Sequence, residues 1–226
     1  MGCDIHPAIE YKDANGWHAI MFPNRYYAPG DKYEAEFTAR LDVNRDYNLF
    51  AVLGNVRNGY GFAGTPTGKG FVPMSDNRGV PDDISDEAKS ALSGEHSATW
   101  VTLTEILAYD WDRFTTHTGT VNPATFAKWD RMREWNPVPD SWSGGVSGRG
   151  VKYVSNDEMR QAIKDDPELA NDGGLFCKSG MYTVIEWQNS YSDDCKQMWT
   201  KILPKMLNLG REHGYDNVRL VMDFDS

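Results

Sequence analysis

The stretch from Tyr182 to Phe224 constrains the fold more than any other part of the chain. Tyr182 to Trp187 reads as a strand, Ser192 to Glu212 as a long amphipathic helix, and Asn217 to Phe224 as a closing strand. Along the helix, Cys195, Met198, Trp199, Ile202, Leu203, Met206 and Leu207 recur at the three-and-four spacing of one helical face. A face that continuous needs a sheet to lie on. Pro204 falls inside the run and removes one helical hydrogen bond, which predicts a kink about one turn earlier. On the closing strand, alternation places Val218, Leu220, Met222 and Phe224 toward the core and Arg219, Val221, Asp223 and Asp225 on the other side.

The beginning of the chain supplies a partner for that strand. Alternation from Cys3 to Tyr11 puts Cys3, Ile5, Ile9 and Tyr11 on one face and Asp4, His6, Ala8 and Glu10 on the other. Asp13-Ala14-Asn15-Gly16 is a hairpin turn, and Trp17 to Phe22 is the return strand. Residues 23–42 read as a long ordered loop or ragged strand; Asn44 or Asp46 then caps a helix through Leu49, Phe50 and Leu53. Further helix starts have their own signals: Ser85 ahead of Asp86 and Glu87, a capping box at Thr102 and Glu105, Asn122-Pro123, and a second capping box at Ser155 and Glu158. Two glycine-rich loops, Asn58 to Pro81 and Asn136 to Gly150, separate these elements. The expected fold is α+β, one domain spanning 1–226, with a mostly antiparallel sheet built from the N-terminal hairpin and the C-terminal strands. Several helices and the long glycine-rich loops cover it.

Charge excludes one class of partner. A formal net charge of -10 and a pI near 4.9 repel phosphate backbones over most of the surface, and no run of Lys and Arg offsets that field. A nucleic acid polymer is therefore not expected as a partner. No apolar stretch approaches the roughly 18 residues of a membrane span, and the basic and apolar regions of a signal peptide are missing. The expectation is a soluble cytoplasmic protein without membrane contact. Cys3, Cys177 and Cys195 have no CxxC spacing, so reduced thiols fit better than a disulfide framework or a structural zinc site.

Two motif-like segments fail for want of context. Gly59-Tyr60-Gly61-Phe62-Ala63-Gly64 matches GxGxxG, but Pro66, Gly68 and Gly70 forbid the helix that would hold a pyrophosphate. Gly64 to Gly70 resembles a P-loop with one residue too few and Gly70 in place of a magnesium-binding hydroxyl. What survives is electrostatic. Between Arg45 and Gly79 the cations Arg45, Arg57, Lys69 and Arg78 face only Asp46 and Asp76, and Arg149 sits in the second glycine loop. Glycine lets backbone N–H groups converge on an anion while Arg supplies a planar fork, and Tyr60 among the neighbouring aromatics can stack on a base or sugar. Arg45, Arg57, Tyr60, Lys69, Arg78 and Arg149 are accordingly the expected ligand-binding residues; the bland alternative is a solvated surface loop.

The Asp4, His6 and Glu10 row has a catalytic reading and a structural one. If the closing strand lies beside the first, Asp223 or Asp225 joins the row, giving Asp4, His6 and Asp223 as ligands for a divalent metal ion, or Asp4, His6 and Glu10 as an acid–base set. The structural reading is a solvated sheet face, or a buried polar network sealed by a helix.

Met1-Gly2-Cys3-Asp4-Ile5-His6, with Arg45-Asp46-Tyr47-Asn48-Leu49-Phe50 and Arg57-Asn58-Gly59, resembles a family of uncharacterised bacteriophage and prophage proteins. The likeness covers roughly the first quarter of the chain and assigns no catalytic residue. It implies a phage accessory protein in the cytoplasm of a host bacterial cell, and by context an immune-evasion factor that binds a phosphate-bearing small molecule such as a nucleotide second messenger. A homo-oligomer is the accompanying expectation. The alternatives are a phosphodiesterase-like metal-dependent hydrolase using the Asp4 and His6 strand, and an inhibitor that blocks a host protein through its acidic surface.

Overall fold

A computed structural model describes residues 2–174 and 177–225. In chain order the elements are β1 (Ile5–Asp13), β2 (Gly16–Ala19), β3 (Phe22–Pro23), β4 (Phe37–Thr38), α1 (Tyr47–Gly54), α2 (Asp86–Ala91), β5 (His96–Thr102), α3 (Leu103–Ala108), β6 (Phe114–Val121), α4 (Pro123–Arg131), β7 (Lys152–Tyr153), α5 (Asn156–Asp165), β8 (Met181–Ser190), α6 (Tyr191–Asp194), α7 (Leu203–His213) and β9 (Val218–Phe224). The fold is α+β with mostly antiparallel strands. Contacts group the chain into two compact units, one made of 1–58, 71–111 and 192–226, the other of 59–70 and 112–191. Among the described residues no helix is long and apolar enough to cross a membrane.

The first unit holds a sheet in the order β2-β1-β9-β5, antiparallel throughout. The hairpin expected at Asp13 to Gly16 joins β1 to β2, with Gly16 at φ +120°, and β9 pairs with β1 in a register that sets His6 opposite Asp223 and Glu10 opposite Arg219. Directly opposed residues share a face. One face therefore carries Ile5, Ile9, Leu220, Met222 and Phe224, and packs under α1 and α7 through contacts such as Phe50 on Phe224 at 5.4 Å between ring centres. The other carries His6, Ala8, Glu10, Arg219, Val221 and Asp223, and is closed in part by α2, where Ala8, Ala88 and Ala91 cluster. β1 is thus buried on both sides. Pro7 is tolerated within it because its backbone faces the segment before α1, where its carbonyl accepts the Leu41 N–H at 2.8 Å, and the ladder to β9 runs through its neighbours.

Capping explains the helix starts. Asp46, Ser85, Thr102, Asn122 and Ser155 each accept the backbone N–H of the residue three positions on, with full capping boxes at Thr102 and Ser155. The long C-terminal helix is interrupted where Pro204 predicts. Before α7 the chain makes a π turn, Met198–Ile202, closed by the Leu203 N–H on the Met198 carbonyl five residues back.

The second unit has a sheet of β6-β8-β7, with β6 and β8 antiparallel over eight residue pairs and β7 parallel to β8 over two. Its core is Val121, Phe126, Met159, Ile185 and Trp187. The first glycine loop docks on the free edge of β6: the Lys69 N–H reaches the Thr116 carbonyl at 2.8 Å, and the Thr118 N–H reaches the Thr67 carbonyl at 2.9 Å. A Cβ on Gly68 would lie 2.2 Å from the Thr116 oxygen, so only glycine permits this approach. β5 and β6 correct the helix-dominated reading of the middle of the chain. Threonine at 115, 116, 118 and 120 was the strand signal, since β-branched side chains suit a pleated surface even without an apolar alternation.

Candidate functional site

Three expected site residues, Asp4, His6 and Arg45, lie together on a cleft of about 1050 Å³ in the first unit. The end of β1, the ribbon of β3 and β4 with its connecting loop, the segment Leu41 to Arg45, the turn from Ser90 to Ser93, and Lys201 and Lys205 form its walls. Its lining cations are Arg25, Arg40, Arg45, Lys201 and Lys205, against the carboxylates Asp4, Glu34 and Asp42. Five against three leaves a formal excess of two positive charges, in a chain whose net charge is -10.

Two clusters anchor the ends of this cleft. At one, Arg45 grips Asp4 with two hydrogen bonds, Nε to Oδ1 at 2.9 Å and Nη2 to Oδ2 at 2.8 Å. Gly2 makes room for that grip, since a Cβ there would lie 2.5 Å from Arg45 Nη1. The Asp4 N–H donates to Asp225 Oδ1 at 2.8 Å, and Asp225 Oδ2 pairs with His6 Nε2 at 2.9 Å. Burial works to raise the Asp225 pKa, but the His6 ring, the Asp4 N–H and the charge of Arg40 outweigh it and hold the carboxyl below its ordinary value. His6 is 6% exposed, and its Nδ1 is enclosed without a hydrogen-bond partner among the described residues. The imidazole lines the cleft, with its polar partnership directed at Asp225.

At the other end, Arg25 Nη1 pairs with Asp42 Oδ2 at 2.8 Å and Lys201 Nζ donates to the Asp42 carbonyl at 3.0 Å. Lys205 follows one helical turn after Lys201 on the same side. The Lys205 side chain makes no hydrogen bond or ion pair among the described residues, so its charge is open to a ligand, while the charge of Arg40 acts on Asp225.

The rest of the expected set is dispersed. Glu10 is fully buried and takes no part in the cleft: its Oε2 accepts Arg219 Nε at 2.7 Å and its Oε1 accepts the Ser85 N–H at 2.7 Å. Arg219 also donates from Nη1 to Asp83 at 2.7 Å and lies 3.8 Å over the Trp17 ring, while Trp17 Nε1 donates to Asp83 at 2.8 Å. The Arg219 hydrogen bond is the main reason the Asp83 pKa falls below its ordinary value. This is the polar network sealed by a helix. Asp223, 1% exposed, is committed to the turn after α2, accepting the Ser93 N–H at 3.0 Å, the Ser93 hydroxyl at 2.9 Å and the Gly94 N–H at 2.6 Å. Asp4 and His6 therefore meet Asp225 and not Asp223. No group of three His, Cys, Asp or Glu side chains among the described residues is arranged to hold a metal ion.

Arg57 reaches the Cys3 thiol and stacks over Tyr47 at 5.5 Å; burial nevertheless pushes that thiol up. Arg78 lies over Trp100 at 4.9 Å and pairs with Glu105 at 2.7 Å. Tyr60, Lys69 and Arg149 belong to the second unit, where the two glycine loops do meet, Gly144 packing on Thr65. Lys69 lines a smaller hollow of about 350 Å³ there, with Glu186, Trp187 and Gln188. Sequence reading missed Arg25, Arg40, Lys201 and Lys205. The two lysines were findable, four residues apart and off the apolar stripe of their helix, whereas the arginines lie in the stretch whose pattern was weakest.

No protein-family model, curated protein or solved structure matches this chain.

Proposed function

We propose that the cleft of the first unit binds a phosphate-bearing small molecule of nucleotide size. The observation that carries this reading is a local excess of cations, with the Lys205 side chain unpaired among the described residues, concentrated in a cavity of about 1050 Å³ on an acidic protein. That volume lies at the upper end of the range typical of small-molecule sites, and concave walls focus the field of the cations on whatever enters. Phe22 and Tyr26 on the β3–β4 ribbon offer ring faces for a base. In the phage setting that the N-terminal motif resembles, the matching role is capture of a nucleotide second messenger by a counter-defence protein.

Isothermal titration calorimetry against linear and cyclic nucleotides and inorganic pyrophosphate tests the proposal. Saturable binding is expected, weakened at least tenfold in a Lys201→Ala/Lys205→Ala variant that keeps the wild-type unfolding midpoint. Absence of heat with every compound in the panel removes the reading.

A further inference from the structure

The wall of the cleft formed by the ribbon of β3 and β4 is built unlike the others. No residue from 20 to 38 is buried, whereas Ala39 and Leu41, just beyond it, are 3% and 5% exposed. β3 and β4 pair with each other over two positions and with no other strand among the described residues. A two-stranded ribbon without an apolar core is marginal by itself, so this one depends on short-range polar contacts. The Asn24 N–H donates to the Glu36 carbonyl at 2.8 Å, Asn24 Nδ2 donates to Glu34 Oε2 at 2.9 Å, and Asp31 Oδ1 accepts the Tyr33 N–H at 2.8 Å. These braces are internal to the ribbon.

The ribbon meets the sheet at two feet. At one the Ile20 N–H donates to the Ile9 carbonyl at 3.0 Å; at the other Arg40 bridges to Ala8 and the Leu41 N–H donates to the Pro7 carbonyl at 2.8 Å. Beyond those feet, the one hydrogen bond among the described residues that ties 21–38 to the rest of the first unit is Arg25 Nη1 to Asp42 Oδ2 at 2.8 Å. The two side chains are 59% and 56% exposed. An ion pair so open to water biases an equilibrium by at most about fivefold, so the ribbon can leave it easily. Arg25 also lines the cleft, and of its N–H donors one on Nη1 goes to Asp42 and one on Nη2 to the Tyr26 hydroxyl at 2.6 Å. The donors left over let the guanidinium hold Asp42 and a phosphate together.

Building on the binding reading above, we infer that the β3–β4 ribbon is a hinged lid on the cleft. It turns as a braced body on its two feet, the Arg25–Asp42 pair latches it, and a phosphate in the cleft locks it through Arg25. Local opening is least costly in segments with few buried apolar contacts, and lids hinge at the ends of such elements. The latch alone leaves the open position populated. A ligand that gains Arg25 only in the latched position shifts the population toward it.

Spin labels on Tyr33→Cys in the ribbon loop and Ser90→Cys in α2, on another wall, report the lid by double electron–electron resonance, since Cys3, Cys177 and Cys195 are buried. Urea midpoints check that each variant is folded, and calorimetry on the labelled proteins checks binding. In the free protein the distance distribution should have two components, and Asp42→Ala should lower the ratio of latched to open by up to about fivefold. Inorganic pyrophosphate or GMP at saturation should collapse the wild-type distribution onto the component that Asp42→Ala depletes. Arg25→Ala should lose that collapse even where calorimetry shows the compound bound. A distribution that Asp42→Ala leaves unchanged, or that a bound compound leaves unchanged in the wild type, overturns the lid. Absence of heat with both compounds removes the binding reading and the locking by phosphate, while the response to Asp42→Ala in the free protein still decides whether the ribbon moves.

Discussion

Removing the Glu10 carboxylate separates a structural role from a catalytic one, because its partners are all internal. Arg219 has a side-chain exposure of 5% and Glu10 of 0%, so Glu10→Ala leaves a guanidinium in the interior with only the half-exposed Asp83 to balance it. The Ser85 N–H also loses its acceptor at the start of α2. Breaking a buried pair from one side costs about 3 to 5 kcal/mol. The lower end applies here, since Asp83 and the Trp17 ring retain part of their hold on Arg219. For a chain of this size, a loss of about 3 kcal/mol lowers Tm by about 6 to 12 °C. Differential scanning calorimetry reads that shift directly. A Glu10→Met/Arg219→Met double variant removes both charges at once, and apolar replacement of a whole buried pair is often neutral. It should therefore melt above the Glu10→Ala protein, giving a favourable coupling between the two sites. A Glu10→Ala protein that melts within about 2 °C of wild type, or a double variant as damaged as the sum of its single changes, refutes the network as the reason Glu10 is buried.

Gly2→Ala should leave the fold intact but push the Arg45 guanidinium off Asp4, because the new methyl would overlap Nη1 at 2.5 Å; weaker nucleotide binding at an unchanged urea midpoint is the expected result. Asp225 has a folded-state pKa below its ordinary 3.8, so the stability it contributes is complete above that value and is lost as pH falls through the lowered one. Asp225→Asn should accordingly flatten the acid limb of the stability profile below pH of about 4, followed by urea unfolding at each pH. Burial raises the thiol pKa of both Cys3 and Cys195, so neither should react with iodoacetamide at pH 8 until denaturant opens the first unit, as peptide mass mapping will report.

Local chemistry made the helix starts legible. A hydroxyl or carboxylate at Asp46, Ser85, Thr102, Asn122 or Ser155 acts on N–H groups within its own turn, and nothing distant needs to be known. The strand pairing was legible only as a condition. Alternation in β1 and β9 fixed which residues share a face, but their register joins residues more than two hundred positions apart. Once β9 is in place, the same alternation assigns opposite fates to neighbouring positions. Glu10 meets Arg219 under the helix-covered middle of the sheet, while His6 and Asp4 reach its open end. The dispersal of Arg57 and Arg78 has a similar cause. Local composition counted their charges as free, yet each had a partner elsewhere in the chain, Cys3 and Tyr47 for one, Glu105 and Trp100 for the other.

The cations left over after that pairing are the informative ones. A folded acidic chain satisfies an Arg or Lys cheaply, since carboxylates outnumber cations 33 to 23. Lys205 nonetheless lines the cleft without a carboxylate partner among the described residues, beside Lys201, whose ammonium donates to the Asp42 carbonyl. Asp225 and Asp4 are held instead by His6 and Arg45. The lining cations outnumber the lining carboxylates Asp4, Glu34 and Asp42, and a phosphate-bearing ligand offsets that excess. The same argument makes Lys205→Glu sharper than Lys205→Ala. A carboxylate there can pair with Lys201 one turn away and cancel the excess without disturbing the apolar side of α7. It should abolish nucleotide binding while leaving the melting temperature unchanged or slightly higher, as calorimetric titration and thermal scans on the same preparation will show.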